Sequence, residues 1–158
     1  MRDWLRVPRL VESATRGLRS GDLDRRGGAQ KWSIRENVHH LVEANLVAAT
    51  IVLAAMGSAR SIYDWSWLLP DPAWMRRSGY RRLDPAPALR ALKAVGRHVA
   101  ALLAGTPGSL KRKVRLRDAP GARLRTVTVE QILGDEVEHA KHHLRDVRAI
   151  RKARRARA

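Results

Sequence analysis

Residues 32–57 read WSIRENVHHLVEANLVAATIVLAAMG, and this stretch decides the fold. Ser33 and Glu36 have the spacing of a capping box, in which each side chain accepts a hydrogen bond from a backbone amide at the start of a helix. Apolar residues then recur at helical spacing as far as Met56, and Gly57 follows as a stop signal. The sequence therefore predicts a long helix from Ser33 to about Met56.

The same helix contains the longest mostly apolar run of the chain, the 11 residues 46–56. A helix needs about 20 apolar residues to cross a bilayer. We therefore interpret this run as a buried core helix and predict no membrane association. The first residues, MRDWLRVPRLVE, interrupt their apolar positions with charges, which is not typical of a signal peptide, so a cytoplasmic protein is expected.

Three more helical segments flank the long helix. The first is predicted from about Pro8 to Arg19, with Pro8 at the first helical position. The third covers residues 86–105, APALRALKAVGRHVAALLAG, and ends at a glycine. The fourth begins at Thr128, which a capping glutamine follows at the third position, and runs to about Arg151.

The connections complete the predicted architecture. Residues 60–84 carry three of the five tryptophans among prolines, which favours a long irregular connection with one short helical turn. Residues 111–129 alternate apolar and polar positions around DAPG, a pattern consistent with a short β-hairpin. Four amphipathic helices with a long connection between the second and third predict an all-α four-helix bundle at residues 1–151, followed by a basic tail at 152–158.

Charge is the most unusual feature of the composition. The 158 residues include 32 Lys+Arg and 15 Asp+Glu, a formal net charge of +17. Such a charge favours an acidic partner such as nucleic acid, and incidental polyanion binding is expected at low salt. The cations are spread over the whole chain, however, so an arginine-rich solvated surface is the alternative interpretation. The absence of cysteine excludes disulfides, thiolate metal sites and a cysteine nucleophile.

Helical direction separates the histidines. His40 falls on the flank of the core face of the second helix, whereas His39 falls almost opposite and is predicted to face solvent. His139 and His143 lie four residues apart on the edge of the apolar stripe of the fourth helix, with Glu136 one turn earlier on the same side. Two imidazoles at this spacing can share one metal ion, and a third imidazole would leave coordination positions open, as in catalytic sites.

The remaining histidines are not predicted to face the core, and several common catalytic motifs are absent from the sequence. His142 is predicted to point away from the core, and His98 lies off the stripe of the third helix. The chain has no H-E-x-x-H motif, no glycine-rich phosphate loop and no G-x-S-x-G elbow. The sequence therefore does not indicate a zincin protease, a P-loop enzyme or a serine hydrolase of that type.

Two segments resemble the DinB-like, or YfiT-like, proteins. Residues 21–45, GDLDRRGGAQKWSIRENVHHLVEAN, are similar to the family signature in which a Trp-Ser/Thr pair opens a helix and a His-Leu or His-Val step follows. Residues 126–150, TVTVEQILGDEVEHAKHHLRDVRAI, are similar to its last core helix, with H-x-x-x-H. The tryptophan- and proline-bearing residues 65–74 resemble the family's connection. The resemblance covers roughly residues 8–151.

The resemblance implies a four-helix bundle of up-down-down-up order with a three-histidine site for a divalent ion such as Zn, Ni, Mn or Fe. Carried over by position, the ligands are His40, His139 and His143. The chain departs from the family pattern at Glu138, where an aromatic or apolar residue is common, and at Asp146, where glutamine is frequent. The basic tail and the abundance of arginine are not family hallmarks either, so these departures bear on the substrate rather than on the metal.

The resemblance also implies an enzyme that acts on a small-molecule substrate. Some members look like metal-dependent hydrolases, and others are S-transferases or isomerases that use a low-molecular-weight thiol such as bacillithiol or mycothiol. A thiol would have to come from a cofactor, because this chain has no cysteine. The alternative is a basic nucleic-acid-binding or scaffold protein without catalysis. The exposed bundle faces are compatible with a homodimer but do not by themselves predict one.

Three side chains near the histidines have two interpretations each. Glu136 is either a carboxylate that orients a ligand ring or an acid on the helix surface. Glu36 is expected to cap its helix rather than to act as a base. Trp32 is expected to pack at the start of the second helix, and the alternative is that it lines the substrate site.

Overall fold

The long helix predicted from the capping box is the centre of the fold. A computed structural model describes residues 1–28, 31–58, 60–68 and 72–155. Its helices are α1 (Arg2–Thr15), α2 (Ser20–Leu23), α3 (Ile34–Gly57), α4 (Pro72–Arg77), α5 (Pro85–Ala104) and α6 (Val129–Arg155), with 3-10 turns at Tyr80–Arg82 and Ser109–Lys111. α3 packs against α5 and α6, and α1 packs against the same two helices. The predicted four-helix arrangement is therefore present, and its up-down-down-up order stays a prediction.

The starts of the two helices that carry the candidate ligands follow from local hydrogen bonds. At α3, Glu36 N donates to Ser33 Oγ at 3.2 Å and Ser33 N donates to Glu36 Oε2 at 2.7 Å. At α6, Gln131 N donates to Thr128 Oγ1 at 3.2 Å and Thr128 N donates to Gln131 Oε1 at 2.9 Å. Both reciprocal pairs satisfy amides that have no partner within the helix, and both predicted starts are confirmed.

The first helix begins earlier than predicted. α1 starts at Arg2, and Pro8 lies inside it rather than at its first position. An internal proline removes one helical hydrogen bond and is destabilising. Burial offsets that cost, because Trp4 and Val7 are each only 1% exposed and the Trp4 indole Nε1 donates to Gly96 O of α5 at 3.2 Å.

The last helix ends later than predicted. α6 continues to Arg155 instead of ending at about Arg151, so residues 152–155 of the predicted tail extend the helix. Residues 156–158 lie outside the described residues.

A small sheet accompanies the helices, so the chain is mostly helical rather than strictly all-α. β2 (Lys113–Arg117) and β3 (Arg125–Thr128) pair antiparallel and form the predicted hairpin. β1 (Ile62–Asp64) pairs parallel to β2 and makes the order β1-β2-β3. The connection predicted to be irregular at 60–84 thus contains a strand that its three residues could not signal by alternation.

The core lies between the four long helices. Its fully buried side chains include Leu41 and Val52 of α3, Leu92 of α5 and Ala140 of α6. Among the described residues, α3 is the one helix long and apolar enough to cross a membrane, and 56% of its most apolar window is buried within the protein. This burial agrees with the interpretation of residues 46–56 as core.

Candidate metal centre

The three predicted histidines converge at the contact between α3 and α6. His40 Nε2 lies 3.1 Å from His139 Nε2, and His139 Nε2 lies 3.0 Å from His143 Nε2. His40 is 6% exposed, and the other two rings are half-buried. One nitrogen of each ring lies within 4.8 Å of the others, so the three could hold one metal ion. The spacing of four residues on α6 and the packing of α3 against it produce this cluster.

Hydrogen bonds to the far side of two rings define their tautomers. Asn37 Nδ2 donates to Ser33 O at 2.8 Å, so Asn37 Oδ1 is left to accept from His143 Nδ1 at 2.7 Å. Glu136 Oε2 accepts from His139 Nδ1 at 3.2 Å. When each Nδ1 carries the proton of a neutral ring, each Nε2 carries a lone pair. The lone pairs of two rings therefore point into the same small space.

Glu136 occupies the position expected of a carboxylate that orients a ligand ring. Besides its contact with His139, its Oε1 accepts from Asn45 Nδ2 at 2.7 Å. Burial raises the pKa of Glu136, while the hydrogen bonds from His139 and Asn45 act in the opposite direction. The carboxylate is thus fixed by contacts with both α3 and α6, rather than lying free on the helix surface.

Burial favours the neutral form of His40 and of His143. Burial, together with the neighbouring His143 and His139, lowers the pKa of His40 to about 3. Burial, together with the neighbouring His139 and His142, lowers the pKa of His143 to about 4, although Asp146 acts in the opposite direction. Neutral rings at physiological pH are the form that binds metal ions.

Trp32 closes one side of the cluster. Its ring stacks on His143 with centroids 5.3 Å apart and an interplanar angle of 12°. It also meets His40 in an edge-on contact with centroids 4.7 Å apart. The indole does pack at the start of α3, as expected, and it does so directly against two candidate ligands.

Glu36 serves as the predicted cap and also forms ion pairs. Arg26 Nη2 lies 2.6 Å from Glu36 Oε1, and Arg81 Nε lies 3.4 Å from the same atom. Burial raises the pKa of Glu36, but the hydrogen bonds from Ser33 and the charge of Arg26 outweigh it and hold the pKa below its usual value. These contacts fix the start of α3 and hence the position of His40, one turn further along.

The prediction that His39 faces solvent is wrong. His39 is buried and stacks on Tyr80, with ring centroids 5.1 Å apart and an interplanar angle of 9°. The turn at Tyr80–Arg82 covers this face of α3, which the periodicity of α3 alone could not reveal. His142 and His98 are exposed, as predicted.

A cavity of about 580 Å³ gives access to the cluster from the side of the sheet. His40, His139 and Glu136 form its polar part. Its walls include the apolar side chains Ala44, Val47, Ile51, Trp65, Leu116 and Ile132. Its size and mostly apolar lining are typical of a small-molecule site.

The comparisons with known proteins agree with this architecture. A family model described as the DinB superfamily matches residues 3–147. The chain belongs to the DinB superfamily. The solved structure of YfiT from Bacillus subtilis, described as a probable metal-dependent hydrolase with an unusual four-helix bundle topology, is similar with a TM-score of 0.79. The two chains are 22% identical, and the match covers 96% of this chain and 83% of YfiT.

At 22% sequence identity, the similarity to YfiT shows the fold of this DinB-superfamily chain and no more. No curated protein matches its sequence. The family match begins at residue 3, close to the observed start of α1, whereas the sequence resemblance began near residue 8.

The buried histidines predict acid sensitivity of the metal-free DinB-superfamily protein. The pKa of His40 is about 3 when folded and about 6.5 when unfolded, so below pH 6.5 the unfolded chain binds the proton more readily. Stability is therefore full above pH 6.5 and decreases as the pH falls towards 3. At pH 5.5 the expected loss from His40 is on the order of 1 kcal/mol, and the more exposed His143 adds less.

Urea unfolding at pH 7.5 and 5.5 measures this loss. His40→Gln cannot titrate, and the difference between wild type and this variant isolates the contribution of His40 from that of the carboxylates. Equal pH dependence in both proteins would contradict the expectation.

Proposed function

We propose that this protein is a metal-dependent enzyme in which His40, His139 and His143 hold one divalent ion. The observation that carries the proposal is the 3.0 Å distance between the Nε2 atoms of His139 and His143, whose Nδ1 atoms are both engaged as donors. Two lone pairs at this distance repel each other unless a cation lies between them. The lowered pKa of His143 disfavours a proton between the two Nε2 atoms.

The donor set fits a divalent transition metal. Metal–nitrogen bonds of about 2.0–2.1 Å in a tetrahedral arrangement place ligand nitrogens about 3.3 Å apart, close to the observed distances. Imidazole nitrogen suits Zn, Ni and Fe, and three protein ligands leave at least one position for water or substrate. The proposal covers Zn, Ni, Mn and Fe, without choosing among them.

Other residues of the chain orient the histidine rings and cover the cluster. Glu136 and Asn37 hold two imidazoles in the tautomer that presents Nε2 inward. Trp32 covers the cluster on one side, and the cavity leaves it open on another. A divalent ion bound there would lower the pKa of a coordinated water or thiol, so that a nucleophile is available near neutral pH.

Two reactions fit this site. Hydrolysis is supported by the likeness to YfiT, which is described as a probable metal-dependent hydrolase. S-transfer would use an external thiol of the bacillithiol or mycothiol type, since the chain has no cysteine. Both reactions act on a small-molecule substrate. Polyanion binding and the nucleic-acid-binding or scaffold alternatives stay predictions, and a homodimer stays compatible with the exposed bundle faces.

Activity assays test the enzymatic proposal. Metal-loaded protein is tested against a panel of esters and amides for hydrolysis, and against electrophiles plus a low-molecular-weight thiol for S-transfer. We expect turnover in one panel, loss of that turnover on chelation and recovery on metal addition. Turnover that survives complete metal removal, or none in either panel at full loading, would contradict the proposal.

The support of His143 by Asn37 gives a second test. Asn37→Ala removes the acceptor for His143 Nδ1, and metal affinity is expected to fall by about 10- to 100-fold. Asn37→Asp keeps an oxygen acceptor for His143 Nδ1 but loses the donor to Ser33 O, so it should retain more of the affinity than Asn37→Ala. Competition titrations with a chromogenic chelator measure both affinities, and an unchanged affinity in Asn37→Ala would contradict the assigned role.

A further inference from the structure

One ion pair lies at the rim of the cavity beside the histidine cluster. Asp118 and Arg125 stand at the two ends of the β2–β3 connection, and both line this cavity. Arg125 Nε donates to Asp118 Oδ2 at 2.6 Å. The side chain of Arg125 is 47% exposed, and that of Asp118 is 32% exposed.

This ion pair uses only one edge of the guanidinium group. Within the described ranges, neither terminal nitrogen of Arg125 has a hydrogen-bond partner. Asp118 therefore fixes the guanidinium through Nε and leaves two parallel N–H donors. Such a fork matches the two oxygens of a carboxylate, and bidentate charge-assisted contacts of this kind are strong and geometrically specific.

The other charges at the rim limit the charge of the ligand. Asp135 lies on the exposed side of α6 and also lines the cavity, so the rim carries two carboxylates and one guanidinium. Repulsion from Asp118 and Asp135 disfavours a dianion such as a phosphate monoester. A single carboxylate in direct contact with Arg125 meets less of this repulsion than a dianion does, and the partial exposure of the ion pair allows solvent to screen it.

Three chemical environments thus follow one another along the cavity. His40 and His139 belong to the polar part of the cavity. Apolar side chains such as Ile51 and Leu116 form its wall, and Arg125 lies at its rim. We propose that the substrate is an amphiphile whose reactive group meets the histidine cluster, whose apolar body follows the wall and whose terminal carboxylate binds the two free nitrogens of Arg125. This inference rests on the proposed function and names the substrate class of the same site.

Thiols of matched length test the inference on the full-length protein loaded with Co²⁺. The thiol end binds the ion, and the thiolate-to-cobalt absorption band reports binding. The series compares ω-mercaptocarboxylates with ω-mercaptoalcohols of equal length, for example 6-mercaptohexanoate with 6-mercaptohexanol. At the best length we expect the carboxylate to bind at least about 10-fold more tightly, the effect of a charge-assisted hydrogen bond.

Variants separate Arg125 from the general positive charge of the protein. Arg125→Gln is expected to bring the carboxylate-to-alcohol ratio close to one, mainly by weakening the binding of the carboxylate. Arg123→Gln removes an equal charge from an exposed loop position outside the cavity lining and should keep the wild-type ratio. A ratio near one at every length in wild type, or the same loss in both variants, would overturn the inference.

The outcomes also distinguish this inference from the proposed function. If neither Co²⁺ nor any of Zn²⁺, Ni²⁺, Mn²⁺ and Fe²⁺ binds at the histidines, the metal site fails and the inference fails with it. If thiols bind to the Co²⁺ protein but acids and alcohols bind equally, the metal site stands and the inference alone is wrong.

Discussion

Alanine at position 139 is expected to abolish tight binding of a divalent ion. His139 Nε2 is within 3.1 Å of His40 Nε2 and within 3.0 Å of His143 Nε2, so its removal takes away the central donor of the cluster. Loss of a residue that only orients a ligand costs about 10- to 100-fold in metal affinity, and loss of the ligand itself should cost more. We therefore expect a decrease of more than about 100-fold for His139→Ala.

His142→Ala is the matched control for this experiment. It removes an imidazole from the same helix, but His142 is exposed and meets His143 only through ring edges, with centroids 5.6 Å apart. Chelator competition should find wild-type affinity in this variant. The ligand assignment is wrong if His139→Ala binds as tightly as wild type, or if both variants lose the metal equally.

Replacement of Trp4 by alanine is expected to produce the largest loss of stability. Trp4 is the largest side chain among those less than 2% exposed, and its Nε1 donates to Gly96 O of α5. The substitution leaves a cavity between α1 and α5 and removes the hydrogen bond from the indole to Gly96 O. Large-to-small changes of this kind cost about 3–5 kcal/mol in the free energy of unfolding.

Urea unfolding of the metal-free protein measures this effect, with Trp67→Ala as the comparison. Trp67 is 60% exposed, so the same chemical change there should alter the free energy of unfolding by no more than about 0.5 kcal/mol. Similar losses in the two variants would show that α1 does not contribute to the core as the structure indicates.

The sequence predicted best those features that local chemistry determines. Ser33 with Glu36 and Thr128 with Gln131 marked two helix starts, because a cap needs only residues within one turn. The start of α1 was predicted too late, at Pro8. The burial of Trp4 against α5 extends the helix to Arg2, and it is a tertiary contact that no local pattern contains. β1 was missed for the same reason, since it exists only through pairing with β2.

The same distinction between local patterns and tertiary contacts applies to the candidate site. Helical periodicity predicted the faces on which His40, His139 and His143 lie, and the spacing of His139 and His143 predicted a shared ion. The family resemblance supplied the set of three ligands. Asn37 was not predicted, although a polar residue one turn before His40 within a mostly apolar helix was the available signal. Arg125 lines the cavity only because the β2–β3 hairpin brings it there, and no local sequence pattern predicts that placement.

Metal titration of the wild-type protein tests the central claim most directly. Purified protein is stripped with a strong chelator, titrated with Zn²⁺, Ni²⁺, Mn²⁺ and Fe²⁺ in turn, and analysed for metal content after removal of free ions. Three imidazoles that converge on one point should retain about one equivalent of at least one of these ions per chain. A folded protein that retains none of the four would contradict the account.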